Sequence, residues 1–227
     1  MEIISTPVGG EQLNAVDTMY PSYLRVVSGT ERFAEQGATC YGYVLSGTAQ
    51  LCGREFQVTG GPGTFFSWPG EFTLEATGLT VLMCRLGFRG LLSVGRIESQ
   101  GRLSYIDGCS STILVAPPRS GDPVLNYLHF QPDTRQTEHS HSSLRLGVVA
   151  RGRGVSFRSK GVGGPGWEQP LRPGSVFLLS AHERHAFATP SDQCMEVITY
   201  HPDSDWGPAD ESHPMLSRTH LLNSARV

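Results

Sequence analysis

Apolar positions along the chain recur either with period two or in short unbroken runs, the patterns of half-buried and fully buried β-strands. Such runs fall at Tyr23–Ser28, Tyr41–Leu45, Ala49–Cys52, Gly63–Ser67 and Thr80–Leu86. After a break they resume at Val124–Phe130, Arg145–Ala150, Gly154–Arg158, Ser175–Leu179 and Met195–His201. Helical periodicity is scarce, and Gly9–Thr18 is the candidate for a short surface helix. Glycine (27) and proline (15) cluster between the apolar runs, the punctuation expected where many turns join short strands in an all-β sandwich or barrel.

Two stretches can be laid over one another. Tyr41-Gly-Tyr-Val-Leu-Ser-Gly47 leads to Gly63-Thr-Phe-Phe-Ser-Trp-Pro69, and Leu146-Gly-Val-Val-Ala-Arg-Gly152 leads to Gly174-Ser-Val-Phe-Leu-Leu-Ser180. In each, an apolar strand ends at a glycine, a second strand follows, and a Pro-Gly turn launches a third. A repeat of this length implies two like units, because a solenoid needs several shorter ones. The boundary is expected in Cys109–Pro123, where Pro117-Pro118 and Gly121-Asp-Pro123 interrupt the pattern.

Length and composition narrow the class. A chain of 227 residues suits two compact domains of about 100 residues each. Apolar residues at 38% against 17% charged suffice for a packed core. A formal net charge of −3 supplies no basic stripe for nucleic acid. No leader pattern or bilayer-length apolar stretch stands out, so a cytoplasmic protein without membrane or nucleic-acid partners is expected. The five cysteines are scattered and lack any CxxC pairing, and they read as small buried apolar residues rather than as disulfides or a zinc site. All eight histidines, from His129 to His220, lie in the second half. Imidazole chemistry therefore belongs there.

The residues around them resemble the cupin family. That family has a first motif in which a His-x-His pair is followed by a glutamate and a closing glycine. In its second motif a glycine leads to Pro-x-Gly, a histidine and an asparagine. Here His139-Ser-His141 is followed after three residues by Arg145 and after six more by Gly152. Gly174 is followed after five residues by Ser180, and His185 takes the place of the last histidine. The chain departs from the motifs at Arg145 (for glutamate), Ser180 and His182 (for proline and glycine) and Thr189 (for asparagine), and the leading glycine is absent. In the first half the same spacing places Ala34, Gln36, Cys40 and Leu74 at the ligand positions, which is no ligand set. The resemblance covers the core of both halves. It implies an all-β fold of two tandem cupin (double-stranded β-helix, jelly-roll) barrels: residues 1–115 degenerate and metal-free, residues 116–227 carrying a metal site and the tail.

Alternation along a strand puts His139 and His141 on one face, joined without a bulge by Ser143, Arg145, Gly147 and Val149, with Leu144, Leu146 and Val148 on the other. His185, from another strand, can meet the pair across a small barrel. Three neutral imidazoles leave open positions on a divalent metal, as a reactive site requires. Fe(II) is favoured through the resemblance to three-histidine cupin dioxygenases, while Zn, Ni, Mn and Cu also accept imidazole. The competing reading is a surface His-x-His pair in the polar stretch Thr134–Ser143.

Arg145 either anchors an anionic substrate group beside the metal, or turns outward or pairs with Glu138 or Glu183. His182 and Tyr200 are the further catalytic candidates, His182 with a solvated loop position as the alternative. His129, Glu196 and Phe157 have unsettled facing, and Trp167 reads as a lid residue or a packing anchor. The tail from Pro202 either completes a cavity wall, with Trp206 and Met215 as anchors, or is loosely ordered. These readings lead to a metal-dependent oxidoreductase, an Fe(II) dioxygenase acting on a small carboxylate-bearing molecule, with homodimerisation a further expectation. A non-redox isomerase, epimerase, lyase or cyclase and a non-catalytic small-molecule sensor are the alternatives.

Overall fold

The computed structural model describes residues 1–15, 17–161 and 165–204, together with the backbone of 219–221. The sequence-based tail anchors Trp206 and Met215 lie outside the described residues. The all-β expectation holds: among the described residues there is one 3-10 turn, Ile106–Gly108, and no α-helix. No helix there is long and apolar enough to cross a membrane.

The first half supplies β1 (Glu2–Ile4), β2 (Gln12–Ala15), β3 (Ser22–Phe33), β4 (Thr39–Val44), β5 (Ala49–Cys52), β6 (Gln57–Gly60), β7 (Thr64–Pro69), β8 (Phe72–Arg85) and β9 (Ser93–Arg96). There follow β10 (Leu103–Ser104), β11 (Ser110–Val115), β12 (Val124–Phe130), β13 (His139–His141), β14 (Arg145–Gly152) and β15 (Gly154–Arg158). The last are β16 (Trp167–Leu171), β17 (Val176–Leu179), β18 (Ala186–Ala188), β19 (Met195–His201) and β20 (Thr219–Leu221). An eight-stranded sheet runs β2-β3-β8-β4-β7-β9, with β5 and β6 attached through β8. A seven-stranded sheet runs β1-β17-β14-β19-β12-β11-β10, so the N-terminal strand and the linker strands join the second half. A three-stranded sheet, β16-β15-β18, and the pair β13-β20 complete the fold.

The helix expected in Gly9–Thr18 is corrected. Leu13 is buried between the exposed Gln12 and Asn14, a period of two, and it lies opposite Leu24 in antiparallel pairing with β3. A segment this short satisfies its backbone better by adding to an existing sheet edge than by forming an isolated turn of helix. The expectation that no cysteine is bridged is also corrected. Cys40 on β4 lies directly opposite Cys84 on β8 and is disulfide-bonded to it, while Cys52, Cys109 and Cys194 are free.

Three apolar cores hold the sheets. Leu24, Tyr41 and Met83 of the eight-stranded sheet meet Leu146, Val176 and Tyr200 of the seven-stranded sheet in a shared core. The opposite face of the first sheet packs its own core around Phe66, Trp68, Phe72 and Leu74. That of the second sheet does the same around Phe130, Val149, Phe177 and Met195. Central strands buried on both faces need the unbroken apolar runs seen in β4 and β14.

The internal repeat is reproduced in the backbone. Gly47, three residues past β4, and Gly152, the last residue of β14, have φ of 67° and 69°, and Gly63 and Gly174 have 87° and 89°, a left-handed region natural to glycine. Within the strands, Gly42 faces Phe66 and Gly147 faces Phe177 in the same register. A Cβ at these glycines would lie 2.0 Å and 2.2 Å from the respective rings. The far end of each phenylalanine ring therefore occupies the place of the missing side chain on the neighbouring strand.

Candidate metal centre

The His-x-His pair sits in a segment whose composition suggests surface but which is buried, with His139 2% and His141 5% exposed. Hydrogen bonds to the segment 182–189 make this possible. The N–H of His139 donates to the carbonyl of His185 at 2.9 Å, and that of His185 returns to His139 at 3.0 Å. The N–H of His182 donates to the carbonyl of His141 at 2.7 Å, and that of Gln136 to Phe187 at 2.9 Å. On its far edge β13 pairs with β20, His139 opposite Leu221 and His141 opposite Thr219. With both edges paired, a polar strand can be buried at little hydrogen-bonding cost.

The three rings converge. The centroids of His139 and His185 are 4.6 Å apart, those of His139 and His141 5.0 Å, and those of His141 and His185 5.3 Å. One ligand atom from each lies within 4.8 Å of the others. His139 Nδ1 lies 2.9 Å from the Thr137 carbonyl, and His185 Nδ1 lies 2.9 Å from that of Glu183. A carbonyl can only accept, so each Nδ1 carries the proton and each Nε2 presents a lone pair. Burial first, and then His139 and Arg145, hold the His185 pKa well below its ordinary value, so its ring stays neutral. Three buried imidazoles, with His139 and His185 oriented by their carbonyl bonds and His141 beside them, fit a divalent transition-metal ion. The space between them and their neighbours is about 20 Å³, room for about one water-sized occupant.

Arg145 faces this space and is 1% exposed. Its Nη1 donates to Ser143 Oγ at 2.7 Å and to the Leu144 carbonyl at 2.8 Å, which folds the guanidinium back beside its own strand. Glu138 is engaged by Arg184 at 2.7 Å and by the Ser159 N–H at 2.8 Å. Glu183 accepts from the Ser180 N–H and pairs with the Met1 ammonium.

The other candidates fall elsewhere. Tyr200 is corrected as a site residue: it is fully buried in the shared core, 5.3 Å from the Tyr41 ring, with its hydroxyl 3.3 Å from Ser22 Oγ. Strand alternation sends Thr199 and His201, its neighbours, into the cavity in its stead. His182 is exposed in a left-handed turn (φ 61°), and its contribution to the centre is its backbone N–H on His141. His129 lies opposite Glu196 across β12 and β19, away from the three rings. Phe157 carries the Arg135 guanidinium on its face, 4.0 Å from the centroid. Trp167 pairs with Arg158 at the start of β16.

His201 went unrecognised in the sequence. It is 3% exposed, it lines the cavity, and its ring lies 6.4 Å from that of His141. Counting in twos from the apolar Met195 and Val197 points to it, once the face those two bury is known.

Comparison with known proteins bears on this arrangement. The family described as "AraC-like ligand binding domain" matches residues 124–224. No curated protein matches the sequence. Among solved structures, a cupin 2 conserved barrel domain protein from Leptotrichia buccalis is similar at a TM-score of 0.62 and 16% identity, over 88% of this chain and 95% of that one. A salicylate 1,2-dioxygenase from Pseudaminobacter salicylatoxidans gives 0.62 at 10% identity, over 84% and 76%. A Bacillus subtilis oxalate decarboxylase with Mn(II) centres gives 0.54 at 12% identity, over 88% and 79%.

Proposed function

We propose, on this cupin-type fold, that the chain is a mononuclear metal enzyme whose ion is held by His139, His141 and His185 and whose substrate is a small carboxylate-bearing molecule. The observation that carries this reading is the convergence of three buried imidazoles, two of which, His139 and His185, have Nδ1 tied to a backbone carbonyl. A bicupin organisation accompanies it, with a metal-free unit over residues 1–115 and a metal-bearing one over 116–227. The matching glycine and phenylalanine pairs support that division, with β1 contributed across to the second sheet.

Fe(II) is the favoured ion and a dioxygenase the favoured activity. Three nitrogen ligands leave positions where substrate and dioxygen can be held side by side, and a dioxygenase stands among the structurally similar proteins. The chain's own residues would do the rest. Arg145 supplies a fixed positive charge that orients the substrate carboxylate, and its Ser143 and Leu144 bonds stop it from swinging away. Phe177, Leu179 and Phe187 exclude water around the reacting groups, while Thr199 and His201 supply the polar wall.

The test is oxygen uptake by protein purified without air and reconstituted with Fe(II), against a panel of small carboxylic acids. Uptake that needs the acid, and that falls at least about a hundredfold in Arg145→Ala with metal content unchanged, supports the reading. Turnover with Zn or Ni in the absence of oxygen would assign the non-redox isomerase or lyase chemistry in its place.

A second reading, a small-molecule binding or sensing protein without catalysis, is favoured by the AraC-like ligand-binding match over residues 124–224. Saturable binding without turnover, insensitive to metal removal, selects it.

A further inference from the structure

The N-terminal half holds a larger cavity than the metal centre, about 460 Å³ in volume, a size suited to a small organic molecule. The repeat explains where it lies. The alignment that places Gly47 on Gly152 places Gln36 on His141, and Gln36 lines this cavity. The position that holds imidazoles around an ion-sized space in one half is thus an open pocket in the other.

Its chemistry is readable. Trp68 forms an apolar surface at its base, 4% exposed and braced by Phe72 at 5.7 Å between ring centroids. A side chain at Gly53 would meet the Trp68 ring at 2.6 Å, so the glycine lets the turn pass over the indole without displacing it. Phe56 and Leu92 line the pocket while remaining 59% and 39% exposed, so its rim offers apolar surface to a ligand. The guanidiniums of Arg54 and Arg89 also line it, and neither has a hydrogen-bond or ion-pair partner among the described residues. Two carboxylates balance part of that charge. Glu71 is already engaged by Gln36 at 2.7 Å and Arg32 at 3.3 Å, whereas Glu55 is exposed. With Arg32 counted beside Glu71, three guanidiniums face two carboxylates, so the rim keeps a net positive charge of one, enough for a monoanion and too little for a phosphate dianion facing Glu55 and Glu71.

We propose that this cavity binds a small organic monocarboxylate with an apolar or aromatic body. The carboxylate sits on Arg54 and Arg89, and the body lies between Phe56 and Leu92 over the small part of Trp68 that reaches the cavity. Guanidinium pairs with carboxylate in a two-point geometry, and an apolar rim accepts either a ring or an aliphatic chain. The site needs no metal and is independent of the three-histidine centre.

The experiment is calorimetric titration of the whole protein with benzoate, phenylacetate and hexanoate, with benzamide as the neutral counterpart. Saturable binding is expected for at least one acid. The Arg54→Gln/Arg89→Gln double variant, altered only at exposed positions, should weaken it at least about tenfold, as loss of a charge-assisted bidentate contact does. The His139→Ala/His141→Ala variant should bind the same acid with unchanged affinity. Three results overturn the proposal: no saturation with any of the acids at millimolar concentration, equal binding of benzamide, or binding that survives the arginine changes. Loss of binding in the histidine variant alone would assign the acid to the C-terminal site and overturn it equally.

Discussion

Replacing His185 by alanine separates what the imidazole does for the fold from what it does for a metal. The ring is 1% exposed, and its Nδ1–H bond to Glu183 is lost with it. In metal-free protein the lost bond costs about 1 kcal/mol and the vacated volume adds to it, so His185→Ala should melt a few degrees below the parent. The metal response is a second and separable quantity. An ion that binds only the folded state, present at a hundred times its dissociation constant, stabilises by about 2.7 kcal/mol. For a chain of this length that is a rise of roughly 5–10 °C in Tm. Differential scanning fluorimetry under anaerobic conditions, with Fe(II) or Zn added to chelator-treated protein, reads both terms. The parent should rise by that amount and His185→Ala should not move, whatever its starting Tm. A variant that responds as strongly as the parent, or a parent that does not respond to any transition metal, would refute the three-histidine centre while leaving the fold untouched.

Other consequences concern the packing around the centre. Gly147→Ala places a methyl group about 2.2 Å from the Phe177 ring, an overpacking that should cost about 1–3 kcal/mol. Phe177→Leu in the same chain should recover part of that loss, read from urea melts as a double-mutant cycle; strictly additive costs would disprove the contact. Burial raises the Glu196 pKa against the opposing pull of Arg151 and His129. The folded state is therefore favoured while this carboxyl is protonated, and that advantage fades as pH climbs through the ordinary carboxylate range toward the raised folded value. Glu196→Gln should accordingly melt higher than the parent at neutral pH, with the gap closing under acid; a gap that widens on acidification contradicts the assignment. Thiol titration of air-exposed protein in non-reducing denaturant should count three thiols, those of Cys52, Cys109 and Cys194. A count of five would remove the Cys40–Cys84 bridge.

Much of the centre was legible because it is built from short-range order. The spacing of His139 and His141 places them on one face of β13 whatever the strand packs against. Arg145 reaches the same small cavity from β14, after a bend at Ser142-Ser143 that breaks the single strand the alternation expected. Gly47 with Gly152 and Gly63 with Gly174 mark the repeat because each takes a left-handed conformation that few other residues accept. Tyr200 could not be placed so easily. Its strand is buried on both faces, so polarity gives no clue to which face meets the metal and which meets the other sheet. The partner of Cys40 lies 44 residues away, and nothing local selects it from the other cysteines. The segment from Gln12 to Ala15 is too short for periodicity to decide between helix and strand.

By itself, then, the sequence determined the all-β class, the repeated glycine pattern and the grouping of imidazoles in the second half. Each is carried by backbone periodicity and by residue types with strong local preferences. Tertiary structure alone decided which faces the two sheets share, that a polar His-x-His strand is buried between two pairing partners, and that His201 joins the wall while Tyr200 leaves it. It also decided that an open cavity lies beside Trp68 in the first half, while the space beside the three histidines is the size of an ion. Those outcomes depend on contacts between segments far apart in the chain, and their energy comes from burial and hydrogen-bond partners that exist only once both segments are in place.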